Sequence, residues 1–454
     1  MRAAGQSEAA VAAFLQAVKR VQAGDDGYWR EEEILPVAEL PRYEDLPAHK
    51  APGEAWAKLA IIKLNGGLGS SMGMQGPKSL LPVKGGDCFL DFIARQVLHC
   101  RQGGPSPHFY LMNSFSTRAE SLACLRRYPA LQQGQDRLDF MQHQVPKLLA
   151  SSLAPVEWPA DPRLEWCPPG HGDLYAALPG SSLLRQLQRQ GVEWLFVSNA
   201  DNLGAIVDDR ILAWLAQNRF SFVMEVTPRL PVDAKGGHLA RRRDNGRFIL
   251  REASQCAAEE VKYFEDTSRH RFFNTNNLWI RLPALAELLE RHQGALPLPL
   301  IKNRKNVDPQ NPASPAVLQL ESAMGAAIEL FDAAAALVVP RSRFAPVKTT
   351  EDLLAVRSDA YVVTPDFRLT LAPERGDHPP QIKLDPRYYR WIQDFDRAFA
   401  EDPPSLLYCE RLEVIGPWLF SAGVVCEGRV VFANSTDVRQ RVPPGRYRDT
   451  TIRR

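Results

Sequence analysis

The chain has 454 residues, of which 45% are hydrophobic and 24% charged, and its formal net charge is +2. This composition is ordinary for a globular enzyme and excludes a disordered or fibrous chain. The small net charge argues against a dedicated nucleic-acid binder, and no apolar run is long enough to span a bilayer. The length predicts one large domain with one or two smaller attachments.

The chain carries seven cysteines, which are scattered and never arranged as Cys-x-x-Cys. Such spacing favours reduced thiols over disulfides or zinc ligation. The N-terminus shows no signal-peptide pattern, so we expect a cytoplasmic location. Any metal is expected to be an oxygen-ligated ion that arrives with its substrate.

The predicted elements begin with an amphipathic helix at 7–23, inside an N-terminal helical segment at 1–50. From 51 to 400, apolar runs alternate with helical patterns, which predicts a layered α/β domain with a mostly parallel sheet. An antiparallel excursion is predicted at 235–252. The other predicted elements are strands at 59–64, 108–112, 194–198, 221–226, 273–280 and 335–339, and helices near 90–102, 117–127, 181–190, 208–217 and 321–330.

The last predicted part, residues 401–454, is a short β-solenoid-like domain. Glycines at Gly416, Gly423 and Gly428 recur among short β-like pieces, as in a solenoid, although a β-meander remains an alternative. The proline-bearing segments at 377–380 and 403–404 suggest separations near this end of the chain.

The most informative motif runs from Lys63 to Ser79 and contains five glycines followed by Lys78. Because it follows the strand at 59–64, it predicts a phosphate cradle of main-chain N–H groups, aided by the start of a following helix and by the lysine charge. Met72 breaks the dinucleotide fingerprint, and Pro77 breaks the P-loop pattern. The motif is similar to that of nucleotidyltransferases that activate sugar phosphates.

Two further motifs contain candidate ligand-binding residues, one just after a predicted strand and one in a stiff loop. Asp201 follows the strand at 194–198, where α/β sheets gather ligands, and predicts either a Mg²⁺ ligand or an Asx turn. His171 lies in a Pro-Pro-Gly-His-Gly-Asp run, whose prolines stiffen the loop and whose glycines allow close approach. A ligand-binding role is therefore predicted for His171 or its neighbouring backbone.

The remaining two motifs predict contacts with sugar and phosphate. The carboxamides at 274–277 offer both donors and acceptors, which suits sugar hydroxyls. Lys348 precedes a helix whose predicted cap is Thr349 or Thr350. A lysine there opposes the helix dipole, which is easier to understand if an anion binds at this point.

These motifs, in this order, resemble the eukaryotic-type family of UDP-glucose pyrophosphorylases, or UTP–glucose-1-phosphate uridylyltransferases, over about residues 56–360. The resemblance implies an α/β fold with a GT-A, Rossmann-like nucleotide-diphospho-sugar transferase core, an N-terminal helical segment and a small C-terminal β-helix. It also implies the reaction of UTP with glucose 1-phosphate, with Mg²⁺ as cofactor, to give UDP-glucose and pyrophosphate.

The resemblance also implies roles for individual residues. Lys78 and Lys348 correspond to catalytic phosphate-handling lysines, and Asp201 corresponds to the metal ligand. The residues implied for nucleotide binding are Leu64, Gly66, Gly67, Gln142 (the reader of uracil) and Gly172. Those implied for the sugar phosphate are His171, Asn199, Lys235, Glu252, Asn274 and Asn276.

Several alternatives remain open from the sequence. A dehydrogenase would need a ribose-binding acid after the glycine loop, for which Asp87 or Asp91 is available. A non-catalytic nucleotide-sugar sensor would bind base and sugar without turnover. A uridylyltransferase for another hexose 1-phosphate is a third alternative, although the family resemblance of the loop at 169–172 implies glucose. The oligomeric state is left open.

Overall fold

The structure, a computed structural model, describes residues 1–309, 311–376 and 378–454. Asp377, which begins the predicted proline-bearing segment, lies outside these residues. No helix within the described ranges is long and apolar enough to cross a membrane. The α-helices of this part are α1 (Glu8–Gln22), α2 (Gly53–Ala57), α3 (Phe89–Cys100), α4 (Arg118–Leu125), α5 (Leu174–Gly180), α6 (Leu183–Arg189), α7 (Asp209–Gln217), α8 (Val261–Phe264), α9 (Leu282–Arg291), α10 (Thr350–Arg357), α11 (Pro386–Tyr389) and α12 (Ile392–Ala398).

The strands alternate with these helices up to about residue 360 and then dominate the C-terminal end. They are β1 (Ile34–Pro36), β2 (Leu59–Asn65), β3 (Pro82–Lys84), β4 (Asp87–Cys88), β5 (His108–Asn113), β6 (Asp139–Met141), β7 (Val145–Pro146), β8 (Leu148–Leu149), β9 (Trp166–Cys167), β10 (Trp194–Asn199), β11 (Phe222–Pro228), β12 (His238–Arg242), β13 (Phe248–Arg251), β14 (Phe272–Arg281), β15 (Ile301–Asn306), β16 (Ala316–Glu321), β17 (Ala334–Val338), β18 (Tyr361–Val363), β19 (Leu369–Leu371), β20 (Gln381–Leu384), β21 (Ser405–Ile415), β22 (Trp418–Phe420), β23 (Val424–Ala433), β24 (Gln440–Val442) and β25 (Gly445–Arg453).

A ten-stranded mixed sheet organises the described chain, with the order β1-β12-β14-β10-β2-β5-β6; β11 pairs with β14 and β17, and β13 pairs with β12. The strands β10, β2, β5 and β6 run parallel, and so do β11 and β17. β14 runs antiparallel between β10 and β11. The predicted α/β architecture is therefore confirmed, with a parallel centre and an inserted antiparallel strand.

Both faces of this sheet are buried, as the period-two alternation of strand β2 illustrates. Leu59 and Ile61 belong to the core cluster that includes α3 and α7. Ala60 and Ile62 face the other cluster, which includes α5, α6 and α9. Helices thus cover the sheet on both sides, and this burial explains why β2 is apolar from Leu59 to Ile62 on both faces.

The long amphipathic and apolar segments were predicted well. The predicted helices at 7–23, 90–102, 117–127 and 208–217 correspond to α1, α3, α4 and α7, and the predicted antiparallel excursion corresponds to β12 and β13. One predicted helix was wrong: the segment 321–330 is not an α-helix, because Glu321 ends β16 and Met324–Leu330 is a 3₁₀-helix. Helices α5 and α9 were not predicted, and Pro179 lies inside α5.

The C-terminal strands stack in parallel. β20, β21, β23 and β25 form one parallel sheet, and β22 and β24 form a second. A β-meander would pair antiparallel, so the parallel pairing excludes that alternative. Gly416 and Gly423 adopt positive φ at the corners between successive strands, which explains their spacing.

Candidate active site

The predicted nucleotide residues lie where parallel strands end. In the register of the sheet, Asn199 on β10 pairs with Leu64 on β2, and Asn65 pairs with Asn113 on β5. Gln142 follows β6 directly, and its N–H donates to the Asn113 carbonyl at 2.8 Å. One edge of the sheet therefore gathers these residues, as is usual for ligand sites in α/β proteins.

A lysine from the glycine-rich loop meets the aspartate that follows β10. The Lys78 ammonium donates to Asp201 Oδ2 at 2.5 Å, and both side chains are largely shielded, with 15% and 17% exposure. The other oxygen, Asp201 Oδ1, is buried and has no hydrogen-bond partner among the described residues. A buried carboxylate oxygen without a donor is costly unless a ligand satisfies it.

The segment leading to Lys348 lies against the same aspartate. The Val347 N–H donates to the Asp201 carbonyl at 3.2 Å, and a bridge joins Asn202 to Pro346. The Ser71 hydroxyl of the glycine-rich loop donates to the Lys348 carbonyl at 3.1 Å. Three distant parts of the sequence therefore converge at one point.

A buried ion pair next to these segments helps to fix the loop that carries Asp201. Arg343 donates to both oxygens of Glu225 at 2.8 and 2.6 Å, and both side chains are fully buried. The Asn277 amide and the Trp279 indole complete the carboxylate's bonds at 3.0 and 2.9 Å. The Asn202 amide, next to Asp201, donates to the Arg343 carbonyl at 3.1 Å, which fixes the aspartate loop against this network.

A second buried lysine, Lys63 on β2, holds the other side of the loop. Its ammonium donates to the Ser198 hydroxyl at 2.8 Å and to the Ala205 carbonyl at 2.6 Å. Burial, followed by the charge of Arg343, lowers the pKa of Lys63 to about 7. These bonds tie β2 to both ends of the segment that carries Asp201.

The glycine-rich loop makes room for a carboxamide. A Cβ atom added to Gly66 would lie 2.6 Å from Gln142 Oε1, so only glycine lets this amide lie flat against the backbone. Gly67 is exposed, and a Cβ there would meet no atom within 4 Å. The expected helix start after the loop was wrong, because Ser70–Met72 and Lys78–Leu80 are single 3₁₀ turns.

His171 is held in one tautomer by the backbone. The Met324 N–H donates to His171 Nδ1 at 2.9 Å, so the proton of the neutral ring lies on Nε2. Burial, followed by the charge of Lys348, lowers the pKa of His171 to about 4. The ring is therefore neutral near pH 7, with its donor at Nε2.

Gly172 packs tightly beside this histidine. Its N–H donates to the Ser322 carbonyl at 2.8 Å, and an added Cβ would lie 2.3 Å from Ser322 Oγ. The preceding Gly170 has a φ of +82°, which strains any residue with a side chain. The glycines flanking His171 are thus required by the chain's own packing, whatever ligand binds there.

Of the predicted sugar residues, Glu252 and Asn274 lie around Gly237. A Cβ on Gly237 would lie 2.5 Å from a Glu252 carboxylate oxygen, and the Asn274 N–H donates to the Gly237 carbonyl at 3.1 Å. Burial raises the pKa of Glu252, and the nearby charge of Lys348 opposes this shift. The Asn274 amide donates to Asn276 Oδ1 at 3.0 Å, where Asn276 adopts a φ of +58° at a bulge in β14.

The start of helix α10, just after Lys348, already has a carboxylate beside it, that of Asp352. Thr349 caps α10 as predicted, and its hydroxyl accepts the Asp352 N–H. Asp352 Oδ2 in turn accepts the Lys348 N–H at 2.8 Å. The inference of a bound anion from the helix start is therefore unnecessary, although the charge of the exposed Lys348 side chain still acts on the pKa of His171 and of Glu252. Lys235 is exposed in a turn before β12.

Sequence reasoning missed a chain of hydrogen bonds through Ser7, His143 and Asp173, here called the relay, which joins the N-terminal helix to the segment after β6. His143, next to Gln142, contacts Ser7 Oγ through Nε2 at 2.7 Å and Asp173 Oδ1 through Nδ1 at 2.9 Å. Ser7 also caps α1 by accepting the Ala10 N–H. The partners of His143 lie 136 and 30 residues away in the chain, so no local sequence pattern predicts these two contacts.

The fold and this edge of the sheet define a nucleotide-sugar transferase-like α/β protein. The chain belongs to the UTP–glucose-1-phosphate uridylyltransferase family, whose model matches residues 11–427. The family resemblance stated from the sequence is thereby confirmed.

Individual relatives match over most of their length. The chain is 39% identical to a UTP–glucose-1-phosphate uridylyltransferase from Solanum tuberosum over 419 residues, which cover 91% of this chain and 84% of the relative. It is 38% identical to a probable UTP–glucose-1-phosphate uridylyltransferase from Schizosaccharomyces pombe over 391 residues, which cover 86% and 75%.

Solved structures match the whole chain. A UDP-glucose pyrophosphorylase mutant from Leishmania major in complex with UDP-glucose superposes with a TM-score of 0.96 at 44% identity, covering 100% of this chain and 98% of that one. A UDP-glucose phosphorylase from Trypanosoma brucei superposes with a TM-score of 0.94 at 43% identity, covering 100% and 97%.

Proposed function

We propose that this protein transfers a uridylyl group from UTP to glucose 1-phosphate and releases UDP-glucose and pyrophosphate. The observation that carries the proposal is the convergence of Lys78, Asp201 and the segment ending in Lys348 at one edge of the sheet. Two ammonium groups and a carboxylate suit a triphosphate and its metal, whereas a sensor has no need of them. Membership in the family gives the same substrates.

The nucleoside is proposed to bind between the glycine-rich loop and the end of β6. The Gln142 amide lies against Gly66 and offers one donor and one acceptor, which match the carbonyl oxygen and the N3–H of the imide edge of uracil. The backbone of Leu64 and Gly67 would flank the base and ribose from the end of β2. Gly172 would allow the nucleotide to approach the backbone closely.

Mg²⁺ is the proposed metal, and Asp201 is its proposed ligand. Mg²⁺ commonly takes one or two carboxylates and completes its shell with water and substrate phosphates. The buried, unpartnered Asp201 Oδ1 fits this donor set, since a metal would satisfy it. When bound, the ion would neutralise charge on the triphosphate. Lys78 would then exchange part of its contact with Asp201 for the phosphates.

The sugar phosphate is proposed to bind between His171 and the Asn-rich start of β14. Neutral His171 would donate through Nε2 to a phosphate or hydroxyl oxygen. The hexose hydroxyls would meet the carboxamides of β14 and β10 and the carboxylate at the end of β13, and the exposed lysine of the neighbouring turn would approach the phosphates. These residues are Asn199, Lys235, Glu252, Asn274 and Asn276.

The proposed mechanism is an in-line displacement. A phosphate oxygen of glucose 1-phosphate attacks the α-phosphorus of UTP, a new P–O bond forms, and the bond to the β-phosphate oxygen breaks with release of pyrophosphate. The sugar phosphate is already a nucleophile, so the protein contributes positioning and charge neutralisation. Lys78 and Lys348 would act on the charge that develops around the α-phosphate.

The other parts of the molecule are proposed to frame this site. We propose that the division is 1–50, 51–400 and 401–454, with the C-terminal strands forming a left-handed β-helix. Their parallel pairing supports that form, and β20 joins their sheet from before residue 401. The free state of all seven cysteines supports action in the cytoplasm, where thiols stay reduced.

The test is a pyrophosphate-release assay with the purified full chain. UTP, CTP, ATP and GTP are each combined with glucose 1-phosphate, galactose 1-phosphate and N-acetylglucosamine 1-phosphate, with Mg²⁺ or with a chelator. We expect the highest kcat/KM for UTP with glucose 1-phosphate, and no turnover with the chelator. Absence of pyrophosphate with this pair, while UDP-glucose still binds, would instead identify a sensor. A higher kcat/KM for another hexose 1-phosphate would correct the sugar assignment.

A further inference from the structure

Two cysteine sulfurs lie in contact outside the proposed active site. Cys88 is the N-cap of α3, Cys124 lies in the last turn of α4, and their Sγ atoms are 3.9 Å apart. Cys88 is buried with 6% exposure, while Cys124 is half-buried and therefore reachable by a small oxidant. A disulfide needs a sulfur separation of about 2.05 Å, which rotation of these side chains can approach.

The surroundings make Cys124 the more reactive thiol of the pair. Arg127 Nη2 lies 2.9 Å from Cys124 Sγ and also donates to Asp91 Oδ1 at 2.6 Å. The contact with Cys88, together with the Arg127 guanidinium, lowers the pKa of the Cys124 thiol, and the Asp91 carboxylate opposes this effect. A thiolate held by an arginine and half-open to solvent is the usual environment of an oxidisable cysteine.

A metal ion is a less suitable occupant of this cluster. Ligand atoms of Cys88, Asp91 and Cys124 lie within 4.8 Å of one another, as a metal site would require. However, the Arg127 guanidinium already binds both Asp91 and Cys124. The Tyr128 hydroxyl donates to the same Asp91 oxygen at 2.8 Å. A cationic side chain therefore takes the contacts that a cation would need.

We propose that Cys88 and Cys124 form a reversible disulfide when the protein meets a hydroperoxide. The Cys124 thiolate attacks the terminal peroxide oxygen, so that an S–O bond forms, the O–O bond breaks, and the leaving hydroxide or alkoxide is protonated to water or an alcohol. The Cys88 sulfur, giving up its proton, then attacks the sulfenic acid sulfur. The S–S bond forms, the S–O bond breaks, and water leaves. A dithiol reductant reverses the change.

The disulfide would act on the turn that carries Lys78. The 3₁₀ turn Lys78–Leu80 packs against both α3 and α4, and it would be strained when the sulfurs draw these helices together. Gly76, just before the turn, also faces Glu120 of α4. If the proposed function holds, oxidation therefore lowers turnover about five-fold or more, because Lys78 moves from Asp201, and dithiothreitol restores it.

The experiment detects the bond itself, whatever the protein's activity. The full chain is treated with one to five equivalents of hydrogen peroxide, alkylated with N-ethylmaleimide and digested with trypsin without reduction. We expect mass spectrometry to find the peptide at 85–95 joined to the peptide at 119–126, and to find both alkylated after reduction. Cys256→Ser, which removes another partly exposed cysteine, should leave this cross-link intact, whereas Arg127→Gln should slow its formation several-fold.

Two results would overturn the proposal. One is Cys124 oxidised to sulfinic acid while Cys88 remains alkylated, because the second thiol would then not reach the first. The other is no oxidation of Cys124 under conditions that oxidise Cys256. Wild-type protein alone gives both readings, so the test does not depend on the folding of a Cys88 variant. A disulfide that forms without any change in turnover would refute the coupling to Lys78 and leave the proposed function standing.

Discussion

The ammonium of Lys78 and the carboxylate of Asp201, 123 residues apart in sequence, form a partly buried ion pair at 2.5 Å. Only one carboxylate oxygen takes part in this bond, and the other is buried and has no hydrogen-bond partner in the described part of the chain. In the proposed function, Lys78 would contact the phosphates and the other carboxylate oxygen would bind the metal, so the glycine-rich loop and the loop after β10 would act together.

Replacing the aspartate tests this arrangement. Asp201→Asn removes the charge that would bind Mg²⁺ and hold Lys78, so we expect kcat to fall about 100-fold and the half-saturating Mg²⁺ concentration to rise about ten-fold. Initial rates over a Mg²⁺ titration measure both. Asp87→Asn, which breaks a comparable ion pair with Arg95, serves as the control and should keep the wild-type Mg²⁺ requirement. An unchanged Mg²⁺ dependence in Asp201→Asn would assign the metal elsewhere.

The contact between Gly66 and Gln142 leads to a second prediction. Gly66→Ala would push a methyl group into the carboxamide, so the KM for UTP should rise about ten-fold or more while kcat changes less. Gly67→Ala is the matched variant, because its added methyl would meet no atom of the described chain within 4 Å. Comparing the two variants distinguishes a clash with Gln142 from a lost contact between the loop and the nucleotide. A Gly66→Ala protein with wild-type affinity for UTP would argue against Gln142 as the uracil reader.

The buried neutral state of His171 has consequences for stability. Its pKa is lowered to about 4 in the folded protein from an ordinary value of 6.5, so the unfolded chain binds more protons between these two pH values. The stability due to the neutral ring is complete above pH 6.5 and is lost as the pH falls toward 4. Relative to His171→Asn, the wild-type free energy of unfolding should fall by about 2 kcal/mol across this window.

Urea denaturation at pH 4.5, 5.5, 6.5 and 7.5 measures this difference. The Asn variant can still accept the Met324 N–H through its side-chain oxygen, so the comparison isolates the titration. Parallel pH profiles for the two proteins would show that His171 is as easily protonated in the folded protein as in the unfolded chain.

The relay through Ser7 predicts that the N-terminal helix influences the nucleotide loop. Ser7→Ala removes both the cap of α1 and the partner of His143, and should cost about 1 kcal/mol of stability. Because His143 follows Gln142 directly, we also expect the KM for UTP to rise about three-fold. Arg2→Ala breaks only the exposed ion pair with Glu8 on the same segment and should leave this KM unchanged. A Ser7→Ala protein that loses stability but keeps its KM would limit the relay to a structural role.

The sequence could predict those elements whose residue pattern depends only on local burial. β2 and β10 were recognisable because their side chains are buried on both faces, so each strand begins with four consecutive apolar residues. Asp201 was recognisable because it follows such a strand. The Met324–Leu330 segment was misread, since its small buried residues look helical in sequence but form a 3₁₀-helix packed against β13.

The parts that could not be predicted depend on contacts between distant residues. Glu225 and Arg343 are 118 positions apart and become a fully buried pair only when β11 and the segment before Lys348 meet. Lys63 looked like one more charge at the end of an apolar strand. Its burial against Ser198 is a property of the assembled sheet, so no periodicity in the chain reveals it.

The most direct test of the account is the single-turnover rate of UDP-glucose formation by Lys348→Ala, measured by rapid quench with enzyme in excess over UTP and with saturating glucose 1-phosphate. If Lys348 neutralises charge that develops during transfer, this rate falls about 100-fold or more, while the Kd for UTP from calorimetry stays within about two-fold of the wild-type value. A wild-type single-turnover rate, with only substrate affinity weakened, would contradict the role of Lys348 in neutralising the charge that develops during transfer.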